Sequence, residues 1–130
     1  MQYRDFIEKV QNRARLGTAG EAVRATHATL EVLGQRLHGG AADNLAAQLP
    51  AEVENYLTDS KESQSFGLDE FFERVSVIEK VDLPKAVHHA RAVISVVQEF
   101  LSQREMEDAR AQLPHEYDPL FESGSEGEMG

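Results

Sequence analysis

Asp5-Phe6-Ile7-Glu8-Lys9-Val10 returns later in the chain as Glu70-Phe71-Phe72-Glu73-Arg74-Val75. Ala47-Gln48-Leu49-Pro50 returns as Ala111-Gln112-Leu113-Pro114. Both recurrences are spaced by about 64 residues in a chain of 130. A fixed spacing of this kind is the mark of a repeat architecture, whose units bury their apolar faces against each other. The expected organisation is therefore one helical domain over residues 1–121 made of two tandem copies. The first copy spans about 2–57, a polar linker 58–65, and the second copy about 66–121.

Working outward from the repeated hexapeptide, Tyr3, Phe6, Ile7, Val10 and Ala14 recur at helical spacing. Their counterparts are Leu68, Phe71, Phe72, Val75 and Ile78, with one residue dropped just after Val75 so that the offset falls from 65 to 64. A start signal follows in each half. Thr18-Ala19-Gly20-Glu21 has the form of a capping box, and Asp82-Leu83-Pro84-Lys85 offers an N-cap aspartate with proline in the first turn. Both satisfy backbone N–H groups that the first turn of a helix leaves free.

The next helix is the longest. Val23, Thr26, Leu30, Leu33 and Leu37 form one stripe, matched by Val87, Ala90, Ile94, Val97 and Leu101. The second version is also apolar at Val93, Val96 and Phe100, and a helix apolar on several sides is buried on several sides. Residues 84–101 are accordingly expected at the centre, against both halves or against another subunit. A third helix carries Ala42, Leu45, Ala46 and Leu49, matched by Met106, Ala109 and Leu113, and ends before Pro50 or Pro114. Val53, Tyr56 and Leu57 then mark a short fourth element, and Tyr117, Leu120 and Phe121 its partner, which Pro119 keeps to about a turn. No stretch alternates as a strand does, so the fold class is all-α. The small, acidic residues 122–130 are expected to be a disordered tail.

Composition excludes several classes of function. The formal charge is -10, with 13 basic residues scattered among 23 acidic ones. Phosphate backbones are bound by clustered Lys and Arg, so nucleic acid is not an expected partner, nor is an anionic membrane surface. No apolar run approaches the roughly 20 residues that span a bilayer. Cysteine is absent, which removes disulfides and thiolate chemistry and points to a cytoplasmic location.

The opening Tyr3-Arg4-Asp5-Phe6-Ile7-Glu8-Lys9-Val10, the long alanine-rich helix with Leu30 and Leu33, and the Ala47-Gln48-Leu49-Pro50 step resemble the domain of unknown function 2267 family. Phe71, Arg74-Val75 and Gln112-Leu113-Pro114 carry the same resemblance in the second half. It covers residues 2 to 121 and rests on core positions and helix ends. What it implies is a small helical prokaryotic protein with no catalytic residues to transfer.

A search for chemistry returns little. His88 and His89 are adjacent, so a helix points them about 100° apart. His27 and Glu31 share a face without forming a His-Glu-x-x-His or Glu-x-x-His site, and His38 sits at a helix end. No serine stands in a nucleophile elbow, and Leu16-Gly17-Thr18-Ala19-Gly20 lacks the Lys and Ser or Thr of a phosphate loop. Glu70, Glu73, Glu105, Glu107 and Asp108 are assigned to solvated helix faces, and Glu52 and Glu116 to first turns. No catalytic residue, metal site or cofactor is expected. Arg24 and His27 recur in swapped order as His88 and Arg91, a candidate patch for an anion or small ligand. Val93, Val96 and Phe100 are the candidate contact surface. The expected function is a non-enzymatic helical module that contacts another protein or a second copy of itself; the alternative is a small-ligand or metal-binding protein, or enzyme, built on the Arg/His patch.

Overall fold

The computed structural model describes residues 2–38, 40–59 and 63–122. These residues form α1 (Gln2–Ala14), α2 (Ala19–Arg36), α3 (Ala41–Ala46), α4 (Ala51–Thr58), α5 (Leu68–Glu79), α6 (Leu83–Glu99), α7 (Gln103–Ala111), a 3₁₀ turn (His115–Tyr117) and α8 (Asp118–Phe121). The fold is all-α, with no strand among the described residues. The expected linker 58–65 falls partly outside the described residues, and Thr58 itself closes α4. The expected tail lies outside them from residue 123 onward.

Helix boundaries follow the local chemistry. Thr18 caps α2 through a complete capping box with Glu21, and Asp82 accepts from the Lys85 N–H at the start of α6. A second box, Ser102 with Glu105, starts α7. Helices α1 and α5 both stop at a non-glycine residue in the left-handed region, Arg15 (φ 57°) and Lys80 (φ 66°). Those two residues are 65 apart in sequence, whereas the caps Thr18 and Asp82 are 64 apart. The ends of α1 and α5 thus keep the spacing of 65 and the starts of α2 and α6 that of 64. In the structure the two spacings meet in the helix connection, later than the position just after Val75 expected from the sequence. Glu79 consequently matches Ala14, and both are buried.

Four long helices make the core. Helix α1 packs on α2 and α6, α5 packs on α6 and α2, and α2 and α6 meet each other. The short helices α4 and α8 close over α2 and α6 respectively, while α3 touches α7. Phe6, Val10, Leu30, Val53, Phe71, Val75, Val93, Val96 and Leu120 have no exposed surface. Helix α4 approaches α2 at Gly34, where a β-carbon would stand 2.1 Å from the Leu57 carbonyl oxygen. Only glycine admits the two backbones at that distance.

Phe66, just before α5, is pinned by side chains from both halves. The Phe66 carbonyl accepts from Arg36 Nε at 2.9 Å and from the Tyr117 hydroxyl at 2.7 Å. Burial pushes the Tyr117 phenol up, ahead of the opposing pull of Arg36, so the hydroxyl stays a donor. The Arg36 guanidinium lies over the Phe66 and Tyr117 rings, and that of Arg74 lies 4.0 Å from the Phe66 ring centre. Glu116 accepts from the Leu68 N–H at the start of α5.

Candidate functional site

A groove of about 350 Å³ opens between α3 and α7. Its walls hold Ala41, Asn44, Leu45 and Gln48 on one side and Glu105, Asp108, Ala109 and Gln112 on the other. Each residue of the first set stands 64 positions before its counterpart in the second. Leu45 and Ala109 are buried and form the floor, while Gln48, Asp108 and Gln112 are exposed at the rim. Ala47 and Leu101 complete the lining.

The groove is positioned from its ends. Leu45 and Ala46 anchor α3, which packs on α4, and Ala109 anchors α7. Gln112 accepts from the His38 N–H at 3.2 Å, tying the end of α7 to the segment that leaves α2. Glu105 is held by the α7 cap, its carboxylate accepting from Ser102 N–H at 2.7 Å. Arg110 is directed away, to Asp118 at 3.1 Å and over the Phe121 ring. Asp108 has no ion pair or hydrogen bond to the described residues. The lining offers amides, two carboxylates and small apolar groups, with no hydroxyl, thiol or imidazole. Such a surface recognises by hydrogen bonding, charge and shape, and it holds no activated nucleophile.

The candidate patch is not one face. Arg24 is exposed on α2, and His27 stacks on Tyr56 with ring centres 4.5 Å apart while pairing with Glu31 at 3.0 Å. Tyr56 neighbours Tyr3, whose phenol is pushed up by burial first and then by Tyr56 and Glu52. His88 instead sits at the other end of α1, its Nε2 3.2 Å from the Ala14 carbonyl, and Arg91 is half-buried on α6. Tyr3 and Ala14 are separated by about 16 Å of helix rise, so the two histidines mark distant places.

The candidate contact surface is corrected more sharply. Val93 and Val96 are 0 % exposed, because α6 is covered by α1, α2, α5 and α8 together. Phe100 is half-buried with its ring 5.3 Å from that of Phe6. The second apolar face of α6 is thus consumed inside the molecule.

Two buried polar features escaped the sequence reading. Glu79 and His89 meet at 2.5 Å across the α5–α6 hairpin, and both are buried. The second Glu79 oxygen has no hydrogen-bond partner among the described residues. Arg36 is buried under the Phe66 and Tyr117 rings, with no carboxylate within ion-pair distance among the described residues. Among the described residues, no three His, Asp or Glu side chains converge to hold a metal ion. Nor is any described helix long and apolar enough to cross a membrane.

With this geometry in place, comparison with known proteins assigns the family. The model of the family described as an uncharacterized conserved protein (DUF2267) matches residues 3–120, and the chain belongs to that family. No curated protein matches the chain.

Proposed function

We propose that this member of the DUF2267 family is a non-enzymatic interaction module, built from two tandem helical units, that presents the α3–α7 groove to another protein. The observation carrying this reading is that the groove walls are the third helix of each half, meeting at positions 64 residues apart. The helix pairing supports the tandem origin. Helix α1 crosses onto α6 as α5 crosses onto α2, while α2 with α6 and α3 with α7 are like-with-like contacts. That is the pattern of an approximate two-fold axis through the molecule. Duplicated units that stack in this way create a cleft between copies, a common seat for a partner segment. A cytoplasmic setting fits the absence of cysteine, and the charge of -10 argues against nucleic acid.

The test is site-specific photocrosslinking in the source cells. A photoreactive residue at Gln48 or Gln112 is expected to capture a defined protein that the same probe at Arg24 or Leu83 does not. If groove and control positions yield the same products, or none, the docking role is lost.

A further inference from the structure

We infer that the groove takes a basic polypeptide segment, with a Lys or Arg side chain set against Glu105 and Asp108 and small apolar residues set against Ala41 and Leu45. This rests on the interaction-module reading and adds the chemistry of the partner.

Charge selects the occupant. Both charged residues of the lining, Glu105 and Asp108, are carboxylates, and both stand on the α7 wall; their counterparts Ala41 and Asn44 are neutral. The stretch of sequence that carries the α3 wall adds no cation to offset them. Residues 37–60 contain Asp43, Glu52, Glu54 and Asp59 and no Lys or Arg. On α7, Arg110 is committed to Asp118, which leaves Arg104 as the basic residue of that helix not directed there. A cation entering the groove therefore meets at Asp108 a carboxylate with no ion pair among the described residues. A second copy of this chain is a poor occupant, because it carries the same charge of -10 to the same acidic rim.

Size and shape select the form. A cleft of about 350 Å³ is at the small end for bound ligands, so it admits a few side chains and not a whole helix barrel. Its two walls differ, one apolar and amide-bearing, the other acidic. A segment with a long basic side chain on one edge and alanine-sized residues on the other fits that asymmetry, and its orientation is set by it. The rim amides of Gln48 and Asn44 can bond the backbone of an extended segment.

The probe is a short extended peptide in which arginine and alanine alternate, compared with a peptide carrying glutamate in place of each arginine and with spermidine. Titrations are followed by amide chemical shifts of the full chain. The basic peptide is expected to shift Ala47, Gln48, Ala109 and Gln112, with an affinity that falls as salt is added. The E105Q/D108N variant should bind it about fivefold more weakly, the worth of two exposed charge pairs. Glutamine still completes the α7 capping box, so the melting temperature should not move. Equal binding of the acidic peptide, unchanged affinity in the variant, or shifts confined to α4 would overturn the charge argument. Binding of spermidine as tight as the peptide would overturn a polypeptide occupant. Should these fail while Gln48 still captures a protein in cells, the docking role stands and only the partner chemistry is wrong.

Discussion

The two halves of the molecule meet the same packing demands with different side chains. In the first, α4 rests directly on α2 because Gly34 leaves room for the Leu57 carbonyl. Sixty-four residues on, Gln98 and Phe121 occupy the corresponding places. There the gap is filled by the Gln98 amide, which donates to the Phe121 carbonyl at 2.6 Å. A second contrast lies between the first two helices of each half. Buried Ala14 and Ala25 match buried Glu79 and His89, which bond to each other. The lesson is that the fold fixes the places to be filled and the polar groups to be satisfied. An absent side chain or a bonded polar one can serve equally.

The buried pair offers the largest way to break that comparison. Glu79→Ala leaves a buried imidazole without its partner, and His89→Ala strands a buried carboxyl that already has one unsatisfied oxygen. Removing one member of such a pair costs about 3–5 kcal/mol. The double variant Glu79→Ala with His89→Ala restores the alanine pair of the first half. It is expected to lose less than the two single changes summed, by about 1–3 kcal/mol. Urea unfolding of the four proteins measures this directly. Strict additivity would mean that the two residues do not act as a unit and that the halves differ for some other reason.

This pair also shows where sequence reading stopped. The helices, the Thr18 and Asp82 caps and the apolar stripes were legible because each depends on local spacing and on neighbours within one turn. Placing the lost residue just after Val75 aligned Glu79 with Arg15, an exposed residue, and so hid its core position. The left-handed ends at Arg15 and Lys80, 65 residues apart, set Glu79 against buried Ala14 instead, and backbone angles are not written in residue types. The groove was hidden for another reason. Asn44, Gln48, Asp108 and Gln112 lie on polar helix faces, and only the meeting of α3 with α7 makes them one surface. The recurrence of Gln48 as Gln112 is visible in the sequence, but there it belongs to the Ala-Gln-Leu-Pro step that marks a helix end. Conversely, the sequence pattern sets Val93 and Val96 on a second apolar face of α6, yet periodicity cannot say whether a neighbour from the same chain covers it, as it does here.

The junction at Gly34 is the next test, and its sign is informative. On an open helix surface, Gly→Ala would stabilise by about 1 kcal/mol through backbone entropy. Here the new methyl meets backbone oxygen, which cannot rotate away, so Gly34→Ala should destabilise by about 3 kcal/mol. Gln98→Ala at the matching place removes one hydrogen bond and should cost about 1 kcal/mol. Thermal melts of the two variants should therefore separate clearly. A stabilised Gly34→Ala would place α4 further from α2 than described, and the contrast with Gln98 would disappear.

The smallest effect concerns the two crossing contacts that tie the halves together. Lys9 of α1 pairs with Glu99 of α6 at 3.0 Å, and Arg74 of α5 donates to Gln35 of α2 at 2.9 Å. These are matching positions, since Lys9 and Arg74 lie 65 apart and Gln35 and Glu99 lie 64 apart. The first contact is an exposed ion pair, with Arg13 also reaching Glu99, so Lys9→Ala should cost about 0.3 kcal/mol and nothing at high salt. Arg74 stacks on Phe66 and bonds to Gln64 and Glu70 besides. Its truncation should cost about 1 kcal/mol, most of it retained at high salt, because only the Glu70 pair is readily screened while the stacking on Phe66 and the bonds to the uncharged amides of Gln35 and Gln64 persist. Chemical denaturation at low and high sodium chloride, using urea so that the denaturant adds no ions, separates the two. Equal salt sensitivity would show that the Arg74 contact is also an ordinary surface ion pair, and that the second half gains nothing from the phenylalanine beneath it.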